Sequence, residues 1–233
     1  FIYWGFGFLR MGTTGLTAQA YGKNDVVERI NILGRALLTA FAFSLILILL
    51  KSYIIDLSFM IVESSPQVEE HGRIYFSIRI FAAPATLSLY AVSGWFLGMQ
   101  NARFPLILAL VVNICNILFN LLFIKFFSMA VDGVALGTVC ASYIGVITAY
   151  ILIIKSYKNS LDKLSLRVIL NVTSFRKFFK VSRDIFIRTL ILIFAFSFFT
   201  AMSAKSGDLI LAANTILINL WTIMAYGIDG FAF

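Results

Sequence analysis

Long stretches without charge run through this chain from one end to the other, and they constrain its fold more than any other feature. Three segments, 104–124, 133–154 and 209–228, contain no Asp, Glu, Lys or Arg. A helix of about 20 apolar residues crosses the hydrocarbon core of a bilayer, so each of these segments is long enough to span a membrane. The sequence therefore predicts an all-α polytopic membrane protein.

The same pattern predicts about seven transmembrane helices. They lie at 1–20, 32–50, 75–97, 104–124, 133–154, 185–204 and 209–229. Hydrophobic residues make up 61% of the chain and charged residues 13%, whereas about a quarter of a soluble domain is charged. A soluble helical protein of this length would not need so much apolar surface.

Basic residues are gathered in alternate loops, and this asymmetry predicts an orientation. Loops 21–35, 98–104 and 155–183 contain three, one and eight Lys or Arg residues. Cytoplasmic loops of membrane proteins are enriched in Lys and Arg, so we predict that these three loops are cytoplasmic and that the protein is a multi-pass protein of the inner (plasma) membrane. The net charge of +8 then indicates contact with anionic lipid rather than nucleic acid.

Residues 155–183 are polar and basic but contain interspersed apolar residues, as in a segment lying along a membrane surface. We therefore predict three parts: most of an amino-terminal helical lobe at 1–154, an inter-lobe linker at 155–183, and the start of a carboxy-terminal lobe at 184–233. The chain opens at Phe1 within an apolar segment and stops at Phe233 directly after another. We expect it to be a segment of a longer protein.

Polar side chains within the predicted spans are candidates for function, because they are costly in lipid. Asn113, Asn116 and Asn120 are spaced three and four residues apart, so they share one face of a helix. Thr138 in the next span and Tyr75 in the third could complete a polar site. Amide oxygens can ligate a cation and amides can bind a polar ligand, but hydrogen bonding between helices would explain the same residues. Both interpretations remain open at this level.

Three ionisable residues and one proline complete the candidates. Arg79 and Arg188 lie near the ends of their spans, where a long side chain can extend to the interface. Asp229 lies near the end of the last span, and an ion pair between Asp229 and Arg188 is a hypothesis. Pro84 lies within the third span, where it could introduce a kink that serves motion or one that packing holds fixed. No pattern indicates a cofactor, a disulfide or a catalytic pair.

Four separated motifs resemble a known family. They are FLRMGTTGLTAQAYG (8–22), GWFLGMQNARFPL (94–106), RDIFIRT (183–189) and YGIDGFAF (226–233). In this order they resemble the multidrug and toxic compound extrusion (MATE) transporters, and most of all the DinF-type branch, over essentially the whole chain. The resemblance implies a fold of twelve helices in two six-helix lobes, of which this chain would form helices two to eight.

The resemblance also implies an activity. It indicates an antiporter, coupled to H+ or Na+, that exports amphipathic or cationic drugs and toxins by alternating access. Asn116, Asn120 and Thr138 match positions that neighbour a coupling aspartate on the family's first helix, so a Na+ site at these three residues is implied. Tyr75 matches a tyrosine that lines the lobe.

Arg188 and Asp229 lie within family motifs, and the resemblance implies a gating or inter-lobe role for them. The implied partners are small amphipathic substrates and the lipid bilayer, with no nucleic acid and no cofactor besides the coupling ion. The full-length protein is expected to be a monomer.

Three other functions are weaker alternatives. A flippase for a lipid-linked precursor can share this architecture, but its lumen should be strongly cationic, and only Arg79 and Arg188 are candidates for that role. A seven-helix receptor is suggested by the number of spans alone. A membrane-embedded enzyme would require a nucleophile–base pair or a metal-ligand set.

Overall fold

The chain is helical along almost its whole length in the computed structural model, which describes residues 2–61, 66–205 and 208–232. The helices are α1 (Ile2–Gly5), α2 (Gly7–Gly22), α3 (Val26–Leu49), α4 (Lys51–Ile61), α5 (Pro66–Arg79), α6 (Ala83–Gly98), α7 (Arg103–Lys125), α8 (Val131–Leu161), α9 (Leu166–Ile169), α10 (Val172–Lys205) and α11 (Asp208–Ala232). A 3-10 turn, Ile80–Ala82, joins α5 to α6. These residues contain no strand, which confirms the predicted all-α fold.

Four described stretches are long and apolar enough to cross a membrane. They are Val26–Leu49, Glu69–Gly98, Arg103–Lys125 and Val131–Leu161, and a shorter apolar stretch lies at Ala212–Ala225. The four coincide with the second to fifth predicted spans, and the shorter one lies within the seventh. The first and sixth predicted spans are also helical, as α1 with α2 and as α10. The membrane-spanning character predicted from the sequence is confirmed.

Two helices begin well before their predicted spans because polar residues cap them. The carboxylate of Asp25 accepts a hydrogen bond from the backbone N–H of Glu28 at 2.9 Å, so α3 begins at Val26 rather than at residue 32. The side-chain oxygen of Asn171 accepts bonds from the N–H groups of Thr173 and Ser174, so α10 begins at Val172. Capping by Asp and Asn satisfies amides that the first turn leaves unpaired. The distribution of apolar residues alone therefore underestimated the length of both helices.

The segment between the second and third predicted spans, 51–72, is mostly helical in its described residues. Pro66 is the first residue of α5, a position where its missing N–H is not needed. The guanidinium of Arg73 on α5 donates to Asp56 on α4 at 2.7 Å and to Glu69 on its own helix at 2.8 Å. We call this α4–α5 region the hairpin end of the bundle.

The linker is held against α3 at the opposite end of the bundle. The side-chain oxygen of Asn31 accepts a bond from the N–H of Ser165 at 3.1 Å. The side chain of Ile169 is buried against Gly34, where an added Cβ would lie 2.5 Å from its Cδ1 atom. The hydrogen bond at Asn31 and the close packing of Ile169 on Gly34 thus hold the short α9 against the first half of α3.

The centre of the bundle is the crossing of α2 and α6. A Cβ at Gly94 would collide with the backbone carbonyl of Arg10, and one at Gly98 would lie 2.7 Å from the carbonyl oxygen of Thr14. Small residues permit this approach of two backbones, which is a main source of helix association in membranes. Leu9 and Phe96 beside the crossing are fully buried.

Substitution of Gly94 by Ala should destabilise the protein, since the obstructing atoms belong to backbone and cannot rotate away. We expect a loss of about 1–3 kcal/mol, as for other overpacked cores, and a lower melting temperature of the purified protein in detergent. Gly15→Ala on α2 is the matched control, because a Cβ there meets nothing within 4 Å. Equal melting temperatures for the two variants would show that the crossing is not as close as described.

Candidate functional site

Three of the residues predicted as a site are joined by hydrogen bonds between α7 and α8. The amide of Asn116 donates to the hydroxyl of Thr138 at 2.9 Å, and the amide of Asn120 donates to the side-chain oxygen of Asn116 at 3.1 Å. The Thr138 hydroxyl donates to the backbone carbonyl of Val134 at 2.9 Å. We call Asn116, Asn120 and Thr138 the amide network.

A glycine brings the two helices close enough to form this network. A Cβ at Gly137 on α8 would collide with the side-chain oxygen of Asn120, so the amide of Asn120 lies directly on the α8 backbone. That same oxygen is buried and has no hydrogen-bond partner. An unpaired buried acceptor costs about 1–3 kcal/mol, and such an atom calls for a specific explanation.

The amide network is electrically neutral but rich in oxygen. An amide oxygen has two lone pairs, so the oxygen of Asn116 keeps one free and that of Asn120 keeps both. The Thr138 hydroxyl accepts one bond and donates another, which leaves it one lone pair. These three oxygens can ligate a cation, but amides and hydroxyls do not ionise near neutral pH. Within the described part of the chain, no three His, Cys, Asp or Glu residues form a metal-binding group.

The asparagine stripe seen in the sequence is divided by the structure. Asn113 is exposed on α7, whereas Asn116 and Asn120 are partly buried against α8. A spacing of three places Asn113 near the same helix face but too far around it to reach α8. It therefore offers an internal control for the two residues that do.

Tyr75 lies in a different place, on α5, among other aromatic hydroxyls. Tyr3 is within electrostatic range of Tyr75, Tyr90 and Tyr143 and of the Arg79 guanidinium. The Tyr3 ring lies beneath that guanidinium, with 4.8 Å between the ring centroid and Cζ, and its hydroxyl donates to the Arg79 carbonyl at 3.0 Å. The structure thus does not bring Tyr75 into the amide network.

Sequence reasoning missed Arg10. It lies within the first predicted span, on α2, and it is exposed. Both Arg10 and Arg79 are within electrostatic range of Tyr90. A cation inside an apolar span is in itself a signal of function, and that signal was present in the sequence.

Of the three remaining candidates, the structure describes the side chains of two, Arg188 and Pro84. Arg188 is exposed on α10, and the position of Asp229 is within α11 but its side chain lies outside the described part of the structure. The ion pair between them stays a prediction. Pro84 lies in the first turn of α6, directly after the 3-10 turn Ile80–Ala82, so the change of helical geometry precedes the proline.

The MatE family model matches residues 1–122 of this chain. The chain belongs to the MatE family. Its sequence is 39% identical over 228 residues to DNA damage-inducible protein F of Escherichia coli (strain K12), a match that covers 97% of this chain and 49% of that protein. Protein DETOXIFICATION 42 of Arabidopsis thaliana is 26% identical over 183 residues, covering 76% of this chain and 33% of that one. The chain spans about half the length or less of the curated relatives it matches.

Solved MATE structures have the same fold. A multidrug resistance MATE family transporter in an outward-facing conformation matches with a TM-score of 0.79 at 17% identity, over 97% of this chain and 50% of that one. Its counterpart in an inward-facing conformation gives 0.75 at 18% identity, over 98% and 51%. A MOP superfamily transporter from Pyrococcus furiosus gives 0.79 at 17% identity, over 97% and 50%.

Removal of the Thr138 hydroxyl should destabilise the contact between α7 and α8. In Thr138→Val the Asn116 amide loses its acceptor, and we expect a loss of about 1 kcal/mol, typical of a hydrogen bond between membrane helices. The melting temperature in detergent measures this. Thr148→Val is the control, because the Thr148 hydroxyl donates to the Ile144 carbonyl of its own helix. A Thr138→Val protein as stable as the control would contradict the hydrogen bond.

Proposed function

We propose that this chain is part of a secondary antiporter of the inner membrane that exports amphipathic small molecules by alternating access, coupled to Na+ or H+. The amide network is the observation that supports this most strongly. It places three oxygens with free lone pairs, one of them buried and unpaired, between two membrane-spanning helices. Polar groups in such a position are the default candidates for an ion or substrate pathway.

Of the two coupling ions, Na+ suits the amide network better. The oxygens of Asn116, Asn120 and Thr138 could ligate Na+ directly, as backbone and side-chain oxygens do in other transporters. None of the three can take up a proton near neutral pH. Coupling to H+ would need a carboxylate near these residues, such as the aspartate that the family resemblance places on a preceding helix.

The proposed mechanism requires two groups of helices that move against each other. Residues 1–154 would form most of one lobe and residues 184–233 the start of the other, with 155–183 as the linker between them. Ion binding to the amide network would shift the population between two conformations, by no more than its differential affinity for them. The likeness of this fold to transporter structures of both inward- and outward-facing form supports such a pair of states.

The orientation and assembly follow from the same proposal. Loops 21–35, 98–104 and 155–183 would lie in the cytoplasm, which places the hairpin end outside. Arg188 and Asp229 would meet near the cytoplasmic side and stabilise one of the two states. The complete protein would act as a monomer, with the substrate path between its lobes.

Combined substitution of Asn116 and Asn120 by Ala should strongly lower the rate of coupled transport. In proteoliposomes containing the protein expressed from its complete reading frame, an inward-directed Na+ gradient should drive efflux of amphipathic dyes. We would use rhodamine 123, a cation, and fluorescein, an anion with a similar ring system, so that coupling is tested apart from substrate charge. The double variant should lower the Na+-driven rate about tenfold or more, because it removes two of the three oxygens proposed to ligate the ion. A tenfold change corresponds to about 1.4 kcal/mol.

Asn113→Ala is the matched control, since Asn113 is the same residue type on the same helix but exposed. It should transport as the unmodified protein does. Efflux that persists in the double variant at equal protein content would contradict the proposed ion site and leave Asn116 and Asn120 with a role in helix packing only. Efflux driven by a pH gradient and unaffected by Na+ would assign the coupling to H+.

A further inference from the structure

Two arginines and four tyrosines gather in a part of the bundle separate from the amide network. They belong to α1, α2, α5, α6 and α8, and we call them the arginine–tyrosine group. Its members are Tyr3, Arg10, Tyr75, Arg79, Tyr90 and Tyr143. Three of them, Tyr75, Arg79 and Tyr90, lie within the membrane-spanning stretch Glu69–Gly98.

The guanidinium of Arg79 is held in place but retains an unused donor. Its Cζ atom lies over the Tyr3 ring, and the Tyr3 hydroxyl donates a hydrogen bond to the Arg79 backbone carbonyl. The Nη1 atom of Arg79 is buried without any hydrogen-bond partner. A guanidinium offers five N–H donors in a fixed plane that matches carboxylate and phosphate oxygens.

The crossing of α2 and α6 brings a second cation to the same group. The backbone of Arg10 touches Gly94 on α6, and Tyr90 is one helical turn before Gly94. Tyr90 lies within electrostatic range of Arg79 and of Arg10, which is exposed. Two positive charges near the same tyrosine favour the binding of a negative charge there.

The stretches of chain immediately around the arginine–tyrosine group contain no acidic residue, and the nearest one in sequence is Glu70, five residues before Tyr75. Residues 1–24, 71–131 and 133–161 contain neither Asp nor Glu. Three other arginines form ion pairs among the described residues: Arg35 with Glu28 at 2.9 Å, Arg73 with Asp56 and Glu69, and Arg183 with Asp184. Arg10 and Arg79 take part in none of the ion pairs formed among the described residues.

We propose that the arginine–tyrosine group binds the anionic head of an amphipathic substrate: a carboxylate, sulfonate or phosphate. Arg79 donates to the anion, Arg10 neutralises it from the α2 side, and the tyrosine rings contact the apolar body. This names the substrate class for the proposed transport function and rests on that function. It also reverses the polarity of the cationic substrates that the sequence resemblance implied.

A purely structural role for Arg79 fits less well. Such a role would be complete if the stacking on Tyr3 were accompanied by acceptors for the guanidinium edge. A charged donor left without an acceptor in a buried place costs more than a neutral one. An arriving anion removes that cost, and charge-assisted bonds of this type are the strong ones.

Binding can be measured apart from transport, by fluorescence anisotropy of fluorescein with the purified protein from its complete reading frame in detergent. The unmodified protein should bind fluorescein more tightly than rhodamine 123. Arg79→Gln should raise the Kd for fluorescein roughly tenfold or more and leave the Kd for rhodamine 123 unchanged. Arg79→Lys should recover part of the affinity, because it restores the charge without the planar fork.

Arg73→Gln is the matched control, since Arg73 lies on the same helix but is tied to Asp56 and Glu69 at the hairpin end. It should leave both Kd values unchanged. Equal losses for the two dyes in Arg79→Gln would overturn the anion site and give Arg79 a structural role. Tighter binding of rhodamine 123 than of fluorescein by the unmodified protein would also overturn it.

The binding and transport experiments can fail separately. Anion binding that depends on Arg79, without dye efflux in proteoliposomes, would support the site and contradict the antiporter. Coupled efflux of rhodamine 123 alone, without fluorescein binding, would support the antiporter and contradict the anion site.

Discussion

The close approach of α2 and α6 is the contact on which the rest of this bundle depends. Lipid tails are as apolar as leucine side chains, so helices in a membrane gain little from hiding apolar surface and associate through packing and hydrogen bonds instead. Gly94 and Gly98 provide that packing by allowing the α2 backbone to touch α6. The approach then sets which polar side chains meet. Arg10 comes to Tyr90, and α1 brings Tyr3 onto Arg79.

Most polar groups between the helices have partners, and this makes the exceptions informative. The indole N–H of Trp95 donates to the Arg29 carbonyl at 2.8 Å, and the buried Arg35 forms two bonds to Glu28 at 2.9 Å. Five buried side-chain atoms of the described residues lack a partner: the Thr13 and Thr17 hydroxyl oxygens, Nε of Arg35, Nη1 of Arg79 and the side-chain oxygen of Asn120. Of these, the Asn120 oxygen is an acceptor in a neutral network and Arg79 Nη1 is a donor in a cationic group. Each has the polarity required for the ligand proposed there.

The two groups lie on either side of α8. Thr138 faces α7, whereas Tyr143, five residues later, donates to the Phe81 carbonyl at the 3-10 turn between α5 and α6. A cation at the amide network and an anion at the arginine–tyrosine group would thus both act on α8. Any coupling between them would be reciprocal, since each ligand changes the affinity of the other by the same factor. Because both sites would contact α8, a movement of this helix would couple ion binding to substrate binding.

The sequence by itself determined the fold class and most helices of this protein, because the length and apolar character of a span depend on residues that are neighbours in the chain. It also determined that Asn116 and Asn120 share a helix face, since a spacing of four is a local property. From the residues alone Thr138 and Tyr75 were equal candidates to complete the site, the family resemblance matched Thr138 to the two asparagines, and their hydrogen-bonded geometry depends on Gly137. Only the tertiary structure decided that the Asn120 oxygen is left unpaired and that Arg10 and Arg79 both lie within electrostatic range of Tyr90. Those two arginines are separated by dozens of residues along the chain, and their distance is set by how the helices cross.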